Sequence, residues 1–593
     1  MDHPETKKPH DEEAVHVHEH GPSSLDSDST HLDEIDQDCL PDGYFRSKFF
    51  LGSMTAIGLG LLAGVCGFAY AAPILTVINA DIGPDPNIVW AALVYTLTSA
   101  VCLTIIGRVT DIFGRRPVFI AGAALGVIGS IVAATATSVN MFIGGTTIIG
   151  IAASTQLSFY YVVGELVPMK YRLAANAVCY VFCIPGSGFA PVIAQAFVQY
   201  HPHVGWRGCY YILIAINAAS LACWVLFYHP PTFKMKHGAH ARIWSYVRAF
   251  DYPGALLYTG GLLVLMLGLN WGGVVYPWSS ASVIATIVVG VAALAAFVAW
   301  ESIAALREPF VPMRYFRNLG WVASAILSGL AASVYFAFAL VWPQMVAVLY
   351  ADPVNRPFFG PLLSSFVALF TLVGQIVGGF SGKYIGRLKW QCVITAFLGG
   401  VCFASVATCG PDTPTRATVL VCFGVLLVGW VEGLSISITT LAAPDQLNLG
   451  GASGMAGSIR FLISAVGSSV YNVILSNRLA ETVPARVPAA VVGAGLPEAS
   501  VADFIAGFAT GEFGGVKGLT DVILAVGKRA YQEASADAFR TVFFANIGFS
   551  VVAVACALCL PDVDKYLTSK VAATLHQGRD EKKMAGEREA WES

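Results

Sequence analysis

The sequence predicts an all-α polytopic membrane protein, and three observations carry that prediction. Charge is scarce: Asp, Glu, Lys and Arg make up 12% of the 593 residues, about half their share in an ordinary soluble chain. Apolar residues reach 56% and the mean hydropathy is +0.65. Apolar runs of about 20 residues, each long enough to cross roughly 30 Å of hydrocarbon, recur along the chain.

Residues 1–48 come first and carry most of the acidic excess behind the net charge of −3. "DEEAVHVHEH" and "SSLDSDSTHLDEIDQD" hold too little apolar surface to bury, so a disordered acidic tail is expected. The tail lacks the apolar stretch of a signal peptide, which leaves insertion to the first span. His16, His18 and His20 alternate in it, but they read as part of a solvated tail, and no metal or cofactor is expected. The spans then fall at 49–78, 89–106, 117–137, 141–163, 173–198 and 207–228. Two more lie at 253–270 and 279–300, and six at 321–342, 359–381, 391–409, 418–440, 451–476 and 541–560. This division gives an N-terminal six-helix half (49–228), a linker with two extra helices (229–318) and a C-terminal six-helix half (319–560). The second half includes a long loop at 478–540, and a C-terminal tail occupies 561–593. Most of the 13 cysteines sit inside apolar runs, among them Cys66, Cys102, Cys179, Cys183, Cys392, Cys402 and Cys422. There they read as small core residues rather than a disulfide framework. The chain contains no N-x-Ser/Thr acceptor.

An even number of spans puts both tails on one side, and the positive-inside rule chooses it. With the tails cytoplasmic, short inner loops hold Arg108, Arg115, Arg116, Lys170, Arg172, Lys234, Lys236, Arg242, Arg248, Arg307, Arg314, Arg317, Lys383, Arg387 and Lys389. The short outer loops hold little beyond Arg207, Arg356 and Arg416. Tails in and the 478–540 loop out is therefore the expected orientation.

One inner loop is more than a topology signal. "GRVTDIFGRRPVFIAGAALG" has Gly107-x-x-x-Asp111-x-x-Gly114-Arg115-Arg116. The glycines allow a tight turn where two helices meet. Asp111 is suited to a helix N-terminus, where the dipole favours an anion. The arginines can pair with it in one conformation and release it in another. This stretch resembles the signature loop of the major facilitator superfamily. A degenerate copy, "GFSGKYIGRLK", comes after the second span of the second half, with Lys383 in place of the acid, then Gly386 and Arg387. Two such loops are what duplicated halves leave. Six plus two plus six spans resembles the fourteen-spanning drug:proton antiporter branch, and "REPFVPMRYFRN" is similar to that branch's entry into its second half.

The fifth span, "CIPGSGFAPVIA", resembles the antiporter helix-bend motif through Gly186, Gly188 and Pro191, with Ala190 in place of a glycine. Small residues allow close helix approach and proline allows a bend. Two departures weaken a general multidrug reading. Thr146 stands where drug antiporters carry an arginine in span 4, and "GVCGFAYAAP" in span 1 lacks an acid. "STQLSFYYVVGELVPMKYRLAANAVCY", "YHPPTFKMKH" and "GGASGMAGSIRFLISAVGSSVYNVILSNRL" narrow the branch: from about 49 to 560 the chain resembles the fungal trichothecene efflux pump family. Siderophore–iron transporters are close relatives and leave uptake as the alternative; a non-transporting nutrient sensor is a third. The resemblance implies a carrier for a secondary metabolite or similar molecule in the plasma membrane, or in a vesicle or vacuole membrane. Its partners would be the lipid bilayer, a small-molecule substrate and protons as coupling ion, with no nucleic acid, and it would act as a monomer. No phosphate-cradling G-x-x-x-x-G-K-[ST] loop occurs, which argues against an ATP-driven pump, and no acidic, His or Cys cluster marks an enzyme site.

Ionisable residues inside spans are costly and functional by default. Glu432 in "LLVGWVEGLSISI" and Arg460 in "GMAGSIRFLISAVG" both fall roughly 12–14 Å from the inner face, at 1.5 Å per residue, and are expected to pair across a hairpin. Burial favours the neutral carboxyl and a guanidinium favours the charged one, so a partner distance that changes with conformation can load and release a proton. Glu165, at the inner end of span 4, is the rival proton site. Gln156, Tyr160, Tyr335, Trp342, Gln344, Tyr471 and Asn472 are expected at the substrate cavity. The 478–540 loop is expected to form small helices over the outer mouth of that cavity, with Tyr531 near it.

Overall fold

The computed structural model describes residues 43–568, apart from 231–232, 234–241, 274, 305, 307, 353–354, 445, 447–448 and 511–512. The acidic tail up to residue 42, with its three alternating histidines, therefore lies outside the described residues. So do Lys234, Lys236, Arg307 and the C-terminal tail from 569.

Among the described residues, fourteen helices are long and apolar enough to cross a membrane. They are α1 (Lys48–Ile82), α2 (Pro86–Phe113), α3 (Arg115–Ala134), α4 (Val139–Leu166), α5 (Met169–Tyr200) and α6 (Arg207–Phe227), then α7 (Tyr252–Trp271) and α8 (Ala281–Ile303). The last six are α9 (Leu319–Leu349), α10 (Phe359–Ile385), α11 (Leu388–Val406), α12 (Pro414–Leu441), α13 (Leu449–Gly493) and α14 (Asp521–Leu558). Their starts are chemically marked. Ser47, Ser138, Asp251, Ser280, Asn318 and Thr520 each accept a backbone N–H of the first turn, satisfying a donor that the helix itself leaves orphaned.

The first six helices pack mainly among themselves, as do the last six, and the two sets meet along two seams, α2 against α13 and α5 against α10. The α7–α8 hairpin closes one seam from outside. Its α7 touches both α2 and α13, while α8 packs on α7 and presents exposed Ile284, Val288, Val291 and Val298, a lipid-facing surface. The seams need small residues. A Cβ on Gly107 of α2 would lie 2.2 Å from the Gly450 carbonyl oxygen, and one on Gly379 of α10 would lie 2.7 Å from that of Leu173. Backbone meets backbone at both places.

The bend expected in the fifth span is a π-helical turn at Ile184–Gly188, with Pro185 in its first turn and Pro191 opening the next helical segment. Proline cannot donate to the preceding turn, and an extra residue in the turn accommodates the gap. Gly186 lies against Leu62 and Cys66 of α1, and Gly188 against Leu369 of α10.

The long loop at 478–540 departs from expectation. Helix α13 continues to Gly493 and α14 begins at Asp521, with a short helix, Val501–Thr510, between them. Hydropathy falls off where charges begin, at Arg478, but the helical hydrogen-bond ladder runs on. Val483, Val487 and Val491 recur every four residues, and with Leu496, Phe504 and Ile523 they form a separate apolar core. Tyr531, expected near the cavity mouth, stacks instead on Phe508 with ring centroids 4.0 Å apart. Arg529 ties this extension to Asp412 at 2.5 Å, and that bond holds the exposed Asp412 carboxyl below the ordinary carboxylate range. Phe504→Ala should remove about 3–5 kcal/mol locally. Amide exchange should speed up over Val501–Thr510 and stay unchanged in the spanning helices.

Candidate functional site: a buried ion pair in a central cavity

At the end of the bundle that carries the Gly107–Arg116 loop, Asp111 is buried under the start of α13. Its two carboxylate oxygens accept the N–H groups of Gly450, at 3.1 Å, and Gly451, at 2.5 Å. These are first-turn amides that the helix cannot satisfy, at its positive dipole end. Arg115 donates to Asp111 at 3.1 Å, forms an ion pair with Glu165 and lies over the Tyr161 ring at 4.6 Å. Arg116 stands apart and donates to the Val225 carbonyl at 2.8 Å. Gly114 makes the turn between α2 and α3 with φ of +93°, where a side chain would be strained.

More bonds cross between the halves at this end. Tyr160 donates to the Ser453 carbonyl at 2.7 Å, Asn176 to Ser437 at 2.9 Å and Arg172 to the Thr440 carbonyl at 3.2 Å. Thr104 of α2 shares a 2.7 Å bond with Ser458 of α13 and a 3.1 Å bond with Tyr258 of α7. Arg108 reaches Glu308 of the α8–α9 connection at 2.6 Å. The two extra helices are thus fastened to the same junction as the signature loop. The degenerate loop is built differently. Lys383 lies over the Tyr171 ring at 4.6 Å, and Gly386 and Arg387 both adopt positive φ as α10 turns into α11.

Deeper in the bundle, Glu432 of α12 and Arg460 of α13 are paired. Glu432 Oε1 accepts from Arg460 Nη2 and, at 3.1 Å, from Nε, while Oε2 accepts from Gln375 of α10 at 3.1 Å. The carboxylate side chain is 1% exposed. These groups form one wall of a central cavity lined from both halves. Tyr160, Tyr180, Tyr335, Ser187, Ser328 and Thr439 supply hydroxyls; Leu61, Val65, Leu372, Ile436 and Phe461 supply apolar surface. The Tyr180 hydroxyl is buried and has no hydrogen-bond partner among the described residues. One compensated ion pair among aromatic, hydroxyl and aliphatic groups suits a neutral molecule with oxygen atoms to accept or donate hydrogen bonds.

The family model described as "Fungal trichothecene efflux pump" matches residues 16–591. The chain belongs to that family. It is 26% identical to the trichothecene efflux pump TRI12 of Fusarium sporotrichioides, over 91% of each chain. It is 30% identical to the MFS-type transporter prx5 of Penicillium rubens, over 75% of this chain and 80% of that one. Among solved structures, the major facilitator proton:xylose symporter XylE aligns with a TM-score of 0.52 at 13% identity, covering 86% of this chain and 95% of that one. The fold is therefore that of the major facilitator superfamily, and the protein is a multi-pass membrane transporter of an efflux family.

Several residues expected at the substrate cavity sit elsewhere in this family member. Gln156 donates to Asn217 at 2.7 Å inside the first half, in a cleft between α1, α3, α4 and α6. It stands four residues before Tyr160, but α4 breaks at Leu157–Ser158, and the break turns the two side chains to different faces. Trp342 is buried and donates to the Leu363 carbonyl at 2.8 Å, and Gln344 is exposed on the outside of the bundle. Tyr471 donates to Asn546 of α14 at 2.8 Å and stacks on Phe549. Its neighbour Asn472, about 100° further round the helix, lines a second cavity. Gln375, Tyr180 and Asn176 were missed by sequence reasoning. The available signal was a lone amide or phenol inside an apolar span, a group that is costly to bury in hydrocarbon without a partner.

Proposed function

We propose that this protein exports a neutral, oxygenated small molecule, a fungal toxin or other secondary metabolite, in exchange for protons. The plasma membrane is its place, with both tails cytoplasmic, as the basic inner loops favour. It works as a monomer by alternating access: the halves 49–228 and 319–560 rock about the central cavity, and the α7–α8 hairpin rides on the α2–α13 seam. The observation that carries this reading is the Glu432–Arg460 pair in the wall of a cavity lined from both halves.

The gate residues would act together. With Asp111 capping α13 and Arg115 bridging Asp111 to Glu165, the cytoplasmic end is shut. Opening it separates Gly107 from Gly450 and leaves those charges to water. In the outward-facing state a proton reaching Glu432 cancels the charge that holds Arg460, and the freed guanidinium and Gln375 re-aim. In the inward-facing state the proton leaves, the pair re-forms and the substrate enters between Tyr160, Tyr180 and Tyr335. The membrane potential adds about 2.3 kcal/mol per charge moved through 100 mV. The trichothecenes named for the relatives are the first candidate substrates.

The test uses inside-out proteoliposomes with an acidic lumen and a tritiated trichothecene outside. Accumulation in the lumen that collapses on adding a protonophore is expected. Accumulation indifferent to the pH gradient, with the protein correctly inserted, would overturn the proton-coupled reading.

A further inference from the structure

A second cavity lies toward the outer face between α1, α2, α7, α9 and α13. It adjoins the central cavity through a partition of three phenylalanines. Phe461 lines both cavities. Phe336 packs on it with ring centroids 5.9 Å apart, and Phe68 packs on Phe336 at 6.2 Å. Successive residues of α9 divide between the two spaces, Tyr335 facing the central one and Phe336 the outer one.

A polar line on one helix connects them. Arg460, Ser464, Ser468 and Asn472 stand at four-residue intervals on α13, so they share one face and extend about 18 Å along it. Arg460 lines the central cavity, and the other three line the outer one. The Ser464 hydroxyl donates to the Arg460 carbonyl at 2.7 Å, which leaves its lone pairs free to accept. Ser468 and Asn472 have no side-chain hydrogen bond among the described residues. Across the cavity, Asn270 of α7 donates to the Met266 carbonyl at 2.9 Å, and its amide oxygen has no partner among the described residues. Free amide and hydroxyl groups in apolar surroundings are costly unless something pairs with them, and among the described residues no charged side chain lines this space.

We propose that the outer cavity is a second binding station for the exported molecule, which passes from the central cavity across Phe461 and is held by Asn472, Ser468 and Asn270 before release. It would take a neutral, mostly apolar molecule with several oxygen atoms. This gives the two extra helices a part in substrate handling, because α7 supplies one wall. The inference rests on the export reading above.

The experiment uses the full chain in nanodiscs and in inside-out vesicles, with a tritiated trichothecene as probe. The parent should bind two molecules per chain at saturation. Asn472→Leu with Ser468→Leu removes two of the proposed polar contacts and narrows the cavity; it should bind one, with export slower by about tenfold, the effect of losing one to two hydrogen bonds. Asn472→Ala, which adds no bulk, should weaken only the second binding event. A parent that binds one molecule, or a double variant with the parent's stoichiometry and rate, would overturn the outer station and leave the export reading standing. A phospholipid retained there by native mass spectrometry in place of the second probe molecule would do the same. A parent that neither binds nor carries the probe would remove the export reading for this substrate class and the station with it.

Discussion

Glu432→Gln should reduce gradient-driven export to passive equilibration while leaving substrate binding in place. The isosteric amide keeps the space and still accepts from Arg460, but it carries no titratable proton. One coupled proton in a gradient of about two pH units sustains roughly hundredfold accumulation, since each unit is worth about 1.36 kcal/mol. The variant should therefore show lumenal and external concentrations near equal. Arg460→Ala is expected to fail differently. It strands a carboxylate whose side chain is 1% exposed, and breaking a buried pair by removing one partner costs about 3–5 kcal/mol. Its abundance in the membrane should drop, and adding Glu432→Gln should restore abundance without restoring transport. Quantitative blots and gradient-driven uptake in the same vesicles separate the outcomes. Full accumulation by Glu432→Gln would move the proton site to Glu165, which the structure pairs with Arg115.

The second large effect concerns the gate. Asp111→Asn should slow transport by about tenfold or more at normal surface level. The carboxylate accepts two α13 amides and an arginine, and hydrogen bonds to charged groups are worth about 1.5–3 kcal/mol each. Losing about 2 kcal/mol from the shut state alone lowers its population relative to the open one by roughly thirtyfold. Gly107→Ala should act the same way for a steric reason, since its Cβ would meet the Gly450 carbonyl oxygen at 2.2 Å and the seam must part. Hydrogen exchange at the Gly450 and Gly451 amides reads the gate directly and should accelerate in both variants. Parent-like exchange and transport in Asp111→Asn would reduce the cluster to a topology signal.

How much of this was legible depends on what each residue answers to. A span is a contiguous apolar run meeting a solvent of fixed thickness, so all fourteen spans could be read from local sequence. Asp111 and Arg115 were visible through spacing, and the Glu432–Arg460 pairing could be inferred from two depths on adjacent helices. The places where helices stop in water were not visible. Hydropathy falls at Arg478, yet α13 runs on to Gly493 because Val483, Val487 and Val491 find a core supplied by Phe504 and Ile523.

By itself, then, the sequence determined a membrane-spanning all-α chain, a charged signature loop between α2 and α3, and one acid and one base at matching depth. Only the tertiary structure decided which polar residues face the cavities. Tyr160 and Tyr335 line the central one, Gln156 turns into the first half, and Tyr471 turns to α14 while Asn472 lines the outer cavity. The physical reason is rotational. Hydropathy sets the depth of a residue along a span, but in spans apolar on nearly every face the sequence carries little information about azimuth. Azimuth is fixed when glycines such as Gly107 and Gly450 let particular backbones approach. Breaks such as Leu157–Ser158 and the π turn at Ile184–Gly188 fix it too, because each rotates the helical segment beyond it.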